Sequence, residues 1–142
     1  MQKMVTLSDN IGEIDWERLA LVFKRAPLGD RDPAVLRKAF ENSGVRCFAW
    51  DRRELVGAGR AITDGIRYAA IFDVVVLPEF QGRGIGKEIM AFLAERSKAA
   101  NILLHAVPGK EAFYQKLGYR KMTTAMVRFE NPEAQRQRGY IE

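Results

Sequence analysis

The tightest constraint on what this 142-residue chain can fold into is Gln81-Gly82-Arg83-Gly84-Ile85-Gly86-Lys87, set between an apolar run at 71–77 and a helical pattern at 88–97. The order is strand, glycine-rich turn, helix. A helix start leaves backbone N–H groups without partners and carries a partial positive charge. Glycines in the preceding turn let that backbone approach an anion without Cβ clashes. Arg83 and Lys87 bring full charges to the same place. This arrangement suits a pyrophosphate cradle; the plainer alternative is a glycine-rich turn with no ligand.

Two familiar phosphate motifs do not fit. A P-loop needs Gly-x-x-x-x-Gly-Lys-Ser/Thr, but Gln81 stands at the first glycine and Glu88 at the hydroxyl that would hold magnesium. The dinucleotide fingerprint Gly-x-Gly-x-x-Gly fits Gly82 and Gly84 and then meets Lys87 where the third glycine belongs.

The rest of the chain reads as short elements without repeats, low-complexity tracts or linkers. Residues 4–7 form a candidate first strand. Asp15 can cap a helix whose apolar stripe is Trp16, Leu19, Ala20 and Phe23. After Pro27-Leu28-Gly29-Asp30, the pair Asp32-Pro33 restarts a helix with Leu36, Ala39 and Phe40 on its buried face. Residues 45–50 and 55–62 read as strands around Asp51-Arg52-Arg53-Glu54, and Thr63-Asp64-Gly65 turns the chain into a third strand at 67–77. Ile85, Ile89, Phe92 and Leu93 make a helical stripe. A strand at 101–107, a short helix at 111–117 ended by Gly118, and a last strand at 123–129 follow. This order predicts a mixed α+β fold, with a mostly antiparallel twisted sheet and helices on both faces. An antiparallel meander ahead of the turn also argues against a dinucleotide-binding fold, which needs alternating strands and helices from the start.

With 47% hydrophobic residues the chain can build one real core, so we expect a single domain over 1–142, residues 131–142 being a polar C-terminal tail. The net charge of +5 raises nucleic acid as a partner. The basic residues are dispersed, however, and no zinc-finger or RNA-binding signature accompanies them. A positive surface serves a polyanionic cofactor equally well. The single cysteine, Cys47, has no internal partner for a disulfide. No signal peptide is evident and no apolar run reaches the length of a membrane span, so the expectation is a cytoplasmic protein without membrane or nucleic-acid partners. A homodimer stays open.

The wider string Val76-Leu77-Pro78-Glu79-Phe80-Gln81-Gly82-Arg83-Gly84-Ile85-Gly86 closely resembles the cofactor motif of the GNAT superfamily of acyl-CoA-dependent N-acyltransferases. Phe113-Tyr114-Gln115-Lys116-Leu117-Gly118-Tyr119 is similar to that family's later Tyr-x-Lys-x-Gly-Phe/Tyr block. Two motifs in the right order are far more specific than either alone, and the resemblance runs from about residue 71 to 122. It implies an acetyltransferase domain that uses acetyl-CoA as cosubstrate and needs no metal.

By the same resemblance, backbone groups along Val74, Val75 and Val76 would pair with the pantetheine arm as an added strand. The N–H groups of Gln81, Gly82, Arg83, Gly84, Ile85, Gly86 and Lys87 would hold the pyrophosphate. The side chains of Arg83 and Lys87 either touch phosphates or decorate the surface. Tyr114 would protonate the departing thiolate, beside Phe113; packing is the competing role for this aromatic. Asp73, the one carboxylate in its strand, is a candidate base or amine binder, and equally a buried carboxylate satisfied by an arginine. The N–H of Val74 or a neighbour would stabilise the oxyanion. Many relatives carry an Asn that contacts the pantetheine arm where this chain has Val107, and Lys110 is the candidate to take over part of that contact. His105 and Cys47 read as structural.

The acceptor side is the least legible. The resemblance places it at about residues 23–40, with Trp16, Trp50, Phe72 and Tyr119 as aromatic walls. Aromatic walls suit the primary amine of an arylalkylamine or a polyamine. The rivals are a protein or peptide N-acetyltransferase, a toxin-type relative acting on aminoacyl-tRNA, and a non-catalytic CoA-binding sensor.

Overall fold

The structure, a computed structural model, describes residues 5–142. The chain forms two compact units, Met1–Leu104 and His105–Glu142, each described by itself.

The first unit carries β1 (Val5–Ser8), α1 (Trp16–Arg25), α2 (Pro33–Glu41), β2 (Val45–Asp51), β3 (Glu54–Thr63), β4 (Tyr68–Val76), α3 (Ile85–Ser97) and β5 (Asn101–Leu104). The five strands lie in the order β1-β2-β3-β4-β5. The first three pairings are antiparallel and β4 with β5 is parallel. The expected first strand begins at Val5; Met4 lies outside the described residues.

Both expected caps are made by side chains. The Asp15 carboxylate accepts from the N–H groups of Glu17 and Arg18 at 3.0 and 3.2 Å, and Asp32 from those of Ala34 and Val35 at 2.8 and 3.3 Å. Pro33 opens α2, where a missing N–H costs nothing. These helices bury Leu19, Val22, Phe23, Leu36 and Phe40. Phe40 stacks on Phe48 at 5.5 Å and Trp16 meets both rings. On the opposite face α3 buries Ile85, Ile89, Met90 and Leu93. Phe92, expected in that stripe, is half-buried beneath the Arg96 guanidinium at 3.9 Å, and Met90 takes the core position. A Cβ on Gly59 would stand 2.9 Å from both Ile89 and Leu93, so the missing side chain is what lets α3 lie close on the sheet.

The second unit holds α4 (Glu111–Lys116) and α5 (Pro132–Gln137). Gly118 has φ 96° past the end of α4, in the expected left-handed region. Two strand expectations are corrected. β5 stops at Leu104, and residues 105–107 lead instead into a turn closed by the Lys110 N–H on the Val107 carbonyl at 2.9 Å. The expected strand at 123–129 does not form: strand propensity needs a partner ladder, and this unit contains no strand among the described residues. Met122, Met126 and Val127 are exposed there. The tail is helical over α5, and Tyr140 packs edge-on against His105 at 5.6 Å and Phe129 at 6.3 Å.

Candidate active site

β4 pairs with β5 only over Tyr68–Ile71. Over Val74–Val76 no strand pairs with its edge away from β3 among the described residues, while its other edge stays paired with β3 as far as Val76. The register shifts between Ala58 and Arg60 of β3, opposite Asp73 and Val74, and Asp73 takes φ 60°. A bulge of this kind bends the strand and raises its twist. The result is a bare strand edge over Val74, Val75 and Val76, a template on which an extended arm can add as a strand. One acceptor on it is already used: the Gln81 side-chain amide donates to the Val76 carbonyl at 2.9 Å.

After Val76 the chain makes one tight turn over Pro78–Phe80 and enters α3 through Gly82 and Gly84, at φ 79° and 83°. Only glycine takes these angles freely, and a Cβ at either position would meet nothing within 4 Å. The N-cap of α3 is Gly84, which has no side chain to cap with. The first helical bond runs from Glu88 N–H to the Gly84 carbonyl. Among the described residues, the N–H groups from Gly82 through Lys87 have no hydrogen-bond partner. The Gln81 N–H does not join them, because it closes on the Pro78 carbonyl at 3.2 Å. So the donor run begins one residue later than expected, and Gln81 contributes through its side chain. Ile85 is buried and anchors the helix, whereas Arg83 and Lys87 stay exposed. The Arg83 guanidinium lies 4.8 Å from the Phe80 ring centre, at the mouth of the turn. Consecutive open N–H groups at a helix start form a site for a phosphate group. Glu79 is tied down by Arg25, with contacts of 2.9 and 2.8 Å that join the end of α1 to this turn. Its own backbone N–H and Arg25 hold its carboxyl below the usual range.

Asp73 is occupied. One carboxylate oxygen accepts from Arg31 Nη1 at 3.1 Å and the other from Arg60 Nε at 2.8 Å. Of the readings open for it, the carboxylate satisfied by arginine is the one the geometry favours. Arg31 and Arg60 are the functional candidates that sequence reading missed. Arg60 did leave a signal, being the one charge inside the small, apolar stretch 55–61. Arg31 comes from the helix-linking loop and gave none.

In the second unit Tyr114 is half-buried, edge-on to Phe113 at 4.9 Å and to Tyr119 at 6.4 Å. Burial, then the neighbouring phenols Tyr119 and Tyr140, raises its pKa and keeps it protonated, the state a proton donor needs. Burial raises Tyr119 likewise. Lys110 precedes α4 without a side-chain cap bond. Cys47 is a buried free thiol. No group of three or more potential metal ligands occurs among the described residues, and none of their helices is long and apolar enough to cross a membrane.

Residues 43–121 match the family model of the acetyltransferase (GNAT) domain. Serotonin N-acetyltransferase 2, chloroplastic, of Oryza sativa subsp. japonica is 35% identical over 113 residues, 75% of this chain and 56% of that protein. An uncharacterized ycf52-like N-acetyltransferase of Prochlorococcus marinus is 34% identical over 91 residues, 59% of this chain and 51% of the relative. The chain thus spans about half the length of the curated relatives it matches. The crystal structure of a probable acetyltransferase from meticillin-resistant Staphylococcus aureus superposes with a TM-score of 0.77 at 21% identity, over 90% of this chain and 99% of that one, a likeness of fold.

Proposed function

The chain belongs to the GNAT acetyltransferase family, whose domain model covers residues 43–121, and from that premise we propose that it moves an acetyl group from acetyl-CoA directly to the primary amine of a small molecule of arylalkylamine or polyamine type. The observation that carries this reading is the open N–H run from Gly82 through Lys87, set one turn beyond the bare edge of β4. A pyrophosphate and an extended amide-bearing arm need these two surfaces, in that order along the chain.

Acetyl-CoA supplies the acetyl group already activated as a thioester. The residues of this chain do the rest. Backbone donors at 82–87 hold the pyrophosphate, with the positive helix end behind them. Val74, Val75 and Val76 align the arm by strand addition, and the N–H of Val74 or a neighbour is the candidate oxyanion donor. Tyr114, kept protonated by burial, is the proposed proton donor to the departing thiolate; this role rests on its place four residues before Gly118. Phe113 and Lys110 are proposed beside it on the same motif. With Asp73 engaged by two arginines, the ammonium's proton is proposed to leave through water. The buried thiol of Cys47 suits a reducing compartment and supports a cytoplasmic placement as part of the same proposal.

The test is thermal unfolding with and without acetyl-CoA, then thiol release across a panel of amines. At a cofactor concentration about a hundred times Kd, linkage stabilises the protein by about 2.7 kcal/mol, a shift of several degrees for a domain of this size. No shift at millimolar acetyl-CoA would remove the cradle assignment and leave the turn as architecture.

A further inference from the structure

Two guanidiniums close on one carboxylate, and a third is joined to them through Ser43. Asp73, its side chain 15% exposed, bonds Arg31 and Arg60 as described. Arg60 Nη1 also donates to Ser43 Oγ at 3.2 Å, and Arg46 Nη1 donates to the Ser43 carbonyl at 3.0 Å. Ser43 is itself buried, and the Arg46 Nε is buried with no partner among the described residues. No other carboxylate pairs with these arginines among the described residues. A hydrogen-bonded network of this kind, part-buried and short of negative charge, costs free energy unless an anion or water completes it.

Arg31 is the member with an outlet. Its side chain is 32% exposed, its guanidinium lies 4.3 Å from the Phe23 ring centre, and it lines a cleft of about 350 Å³ along α1 with Lys24, Pro33, Glu17 and Asp30. The two acids and two bases of the cleft balance one another, so the excess charge comes from the network attached to Arg31. Its hydrogen bonds to Asp73 and to the Leu28 carbonyl leave further N–H donors of the guanidinium fork unspent.

We propose that Arg31, backed by Arg60, binds an oxyanion carried by the acceptor, which narrows the small-amine class proposed above to members bearing a carboxylate or phosphate and sets aside its polyamine branch. This rests on the acetyltransferase reading. Asp73 immediately precedes the Val74–Val76 edge on β4, and strand residues advance roughly 3.3 Å each, so an anion held at Arg31 is within a small molecule's reach of that edge. A guanidinium fork matches a carboxylate or phosphate in two-point geometry, whereas a second ammonium on the acceptor would meet like charge.

The experiment has two arms. In the first, inorganic phosphate and acetate are titrated into the wild type and Arg31→Gln, with and without CoA, while NMR follows the arginine Nε–H signals. The expected result is saturable movement of the Arg31 and Arg60 signals, at least tenfold weaker in Arg31→Gln and not abolished by CoA. In the second, thiol release is compared for amines paired with their carboxylated or phosphorylated counterparts. The anion-bearing member should have the higher kcat/KM. Arg31→Gln should raise KM for that member at least tenfold, with the acetyl-CoA affinity unchanged and partial recovery in Arg31→Lys. Arginine signals that ignore both anions, preference for the uncharged member, or an equal loss for both members would each overturn the proposal. Failure of acetyl-CoA to bind would sink the acetyltransferase reading and the acceptor role with it, whereas the anion titration, read without the cofactor, tests the oxyanion site at Arg31 by itself.

Discussion

The cradle at 82–87 and the arginine network around Asp73 both lie in the sheet unit, and they are built on different principles. The cradle is made of backbone. Its donors exist because a helix begins there, and they stay open because Gly84 offers no cap. Everything it needs is contiguous in the chain. The network is made of side chains from the helix-linking loop, β2, β3 and β4, joined through Ser43 and Asp73 across sequence separations of up to 42 residues. A backbone site is written locally and tolerates many side chains; a side-chain site exists only once the fold has closed, and each member depends on the others.

The largest effect expected from that contrast falls on the cradle. Gly84→Glu puts a carboxylate where a phosphate should sit and forces an L-residue to φ 83°. Acetyl-CoA affinity should fall at least about a hundredfold, about 2.7 kcal/mol, while the backbone penalty to stability stays near 1–2 kcal/mol. Calorimetry beside a denaturation curve separates the two, and affinity that survived would mean the donors at 82–87 do not hold the cofactor.

Tyr114→Phe comes next and asks whether a side chain outside both regions carries chemistry. The turnover number should drop roughly tenfold to a thousandfold, with cofactor affinity nearly intact. Unchanged turnover would assign Tyr114 to packing among Phe113 and Tyr119.

Asp73→Asn sharpens the comparison from the network side. With both guanidiniums deprived of their counter-charge, unfolding free energy should fall by about 1–3 kcal/mol, below the cost of breaking a fully buried pair because Arg31 reaches solvent. A protein that keeps its stability and loses turnover would instead make Asp73 the base.

The smallest effect is at Cys47, on the closed part of the sheet. Burial pushes its thiol up to about 12, against an ordinary value of 9.0; the Arg96 guanidinium pulls it down and Asp9 pushes it up by smaller amounts. A raised folded-state pKa favours the folded state below pH 9, and this contribution is lost as pH rises from 9 through 12. Native protein at pH 8 should therefore react with a disulfide reagent far more slowly than in denaturant. Fast native labelling would show that the sheet opens at β2.

The same division explains what could be read in advance. Asp15, Asp32 and the glycines at 82 and 84 act within a few residues of themselves, so caps, turns and the open N–H run at the start of α3 were visible in the sequence. The meander of β2, β3 and β4 followed from alternating runs and short polar turns. The state of Asp73 was not visible, because Arg31 and Arg60 reach it only through tertiary structure. Residues 123–129 misled for the converse reason. Thr123-Thr124-Ala125-Met126-Val127 has strand composition, but a strand is a property of a pair, and no partner ladder forms in that unit.

The most direct test of the central claim is an amide-resolved NMR titration of the protein with CoA. The largest shifts should fall on the N–H groups of Gly82 through Lys87, followed by Val74, Val75 and Val76. Binding that moved other amides and left these two stretches unchanged would contradict it.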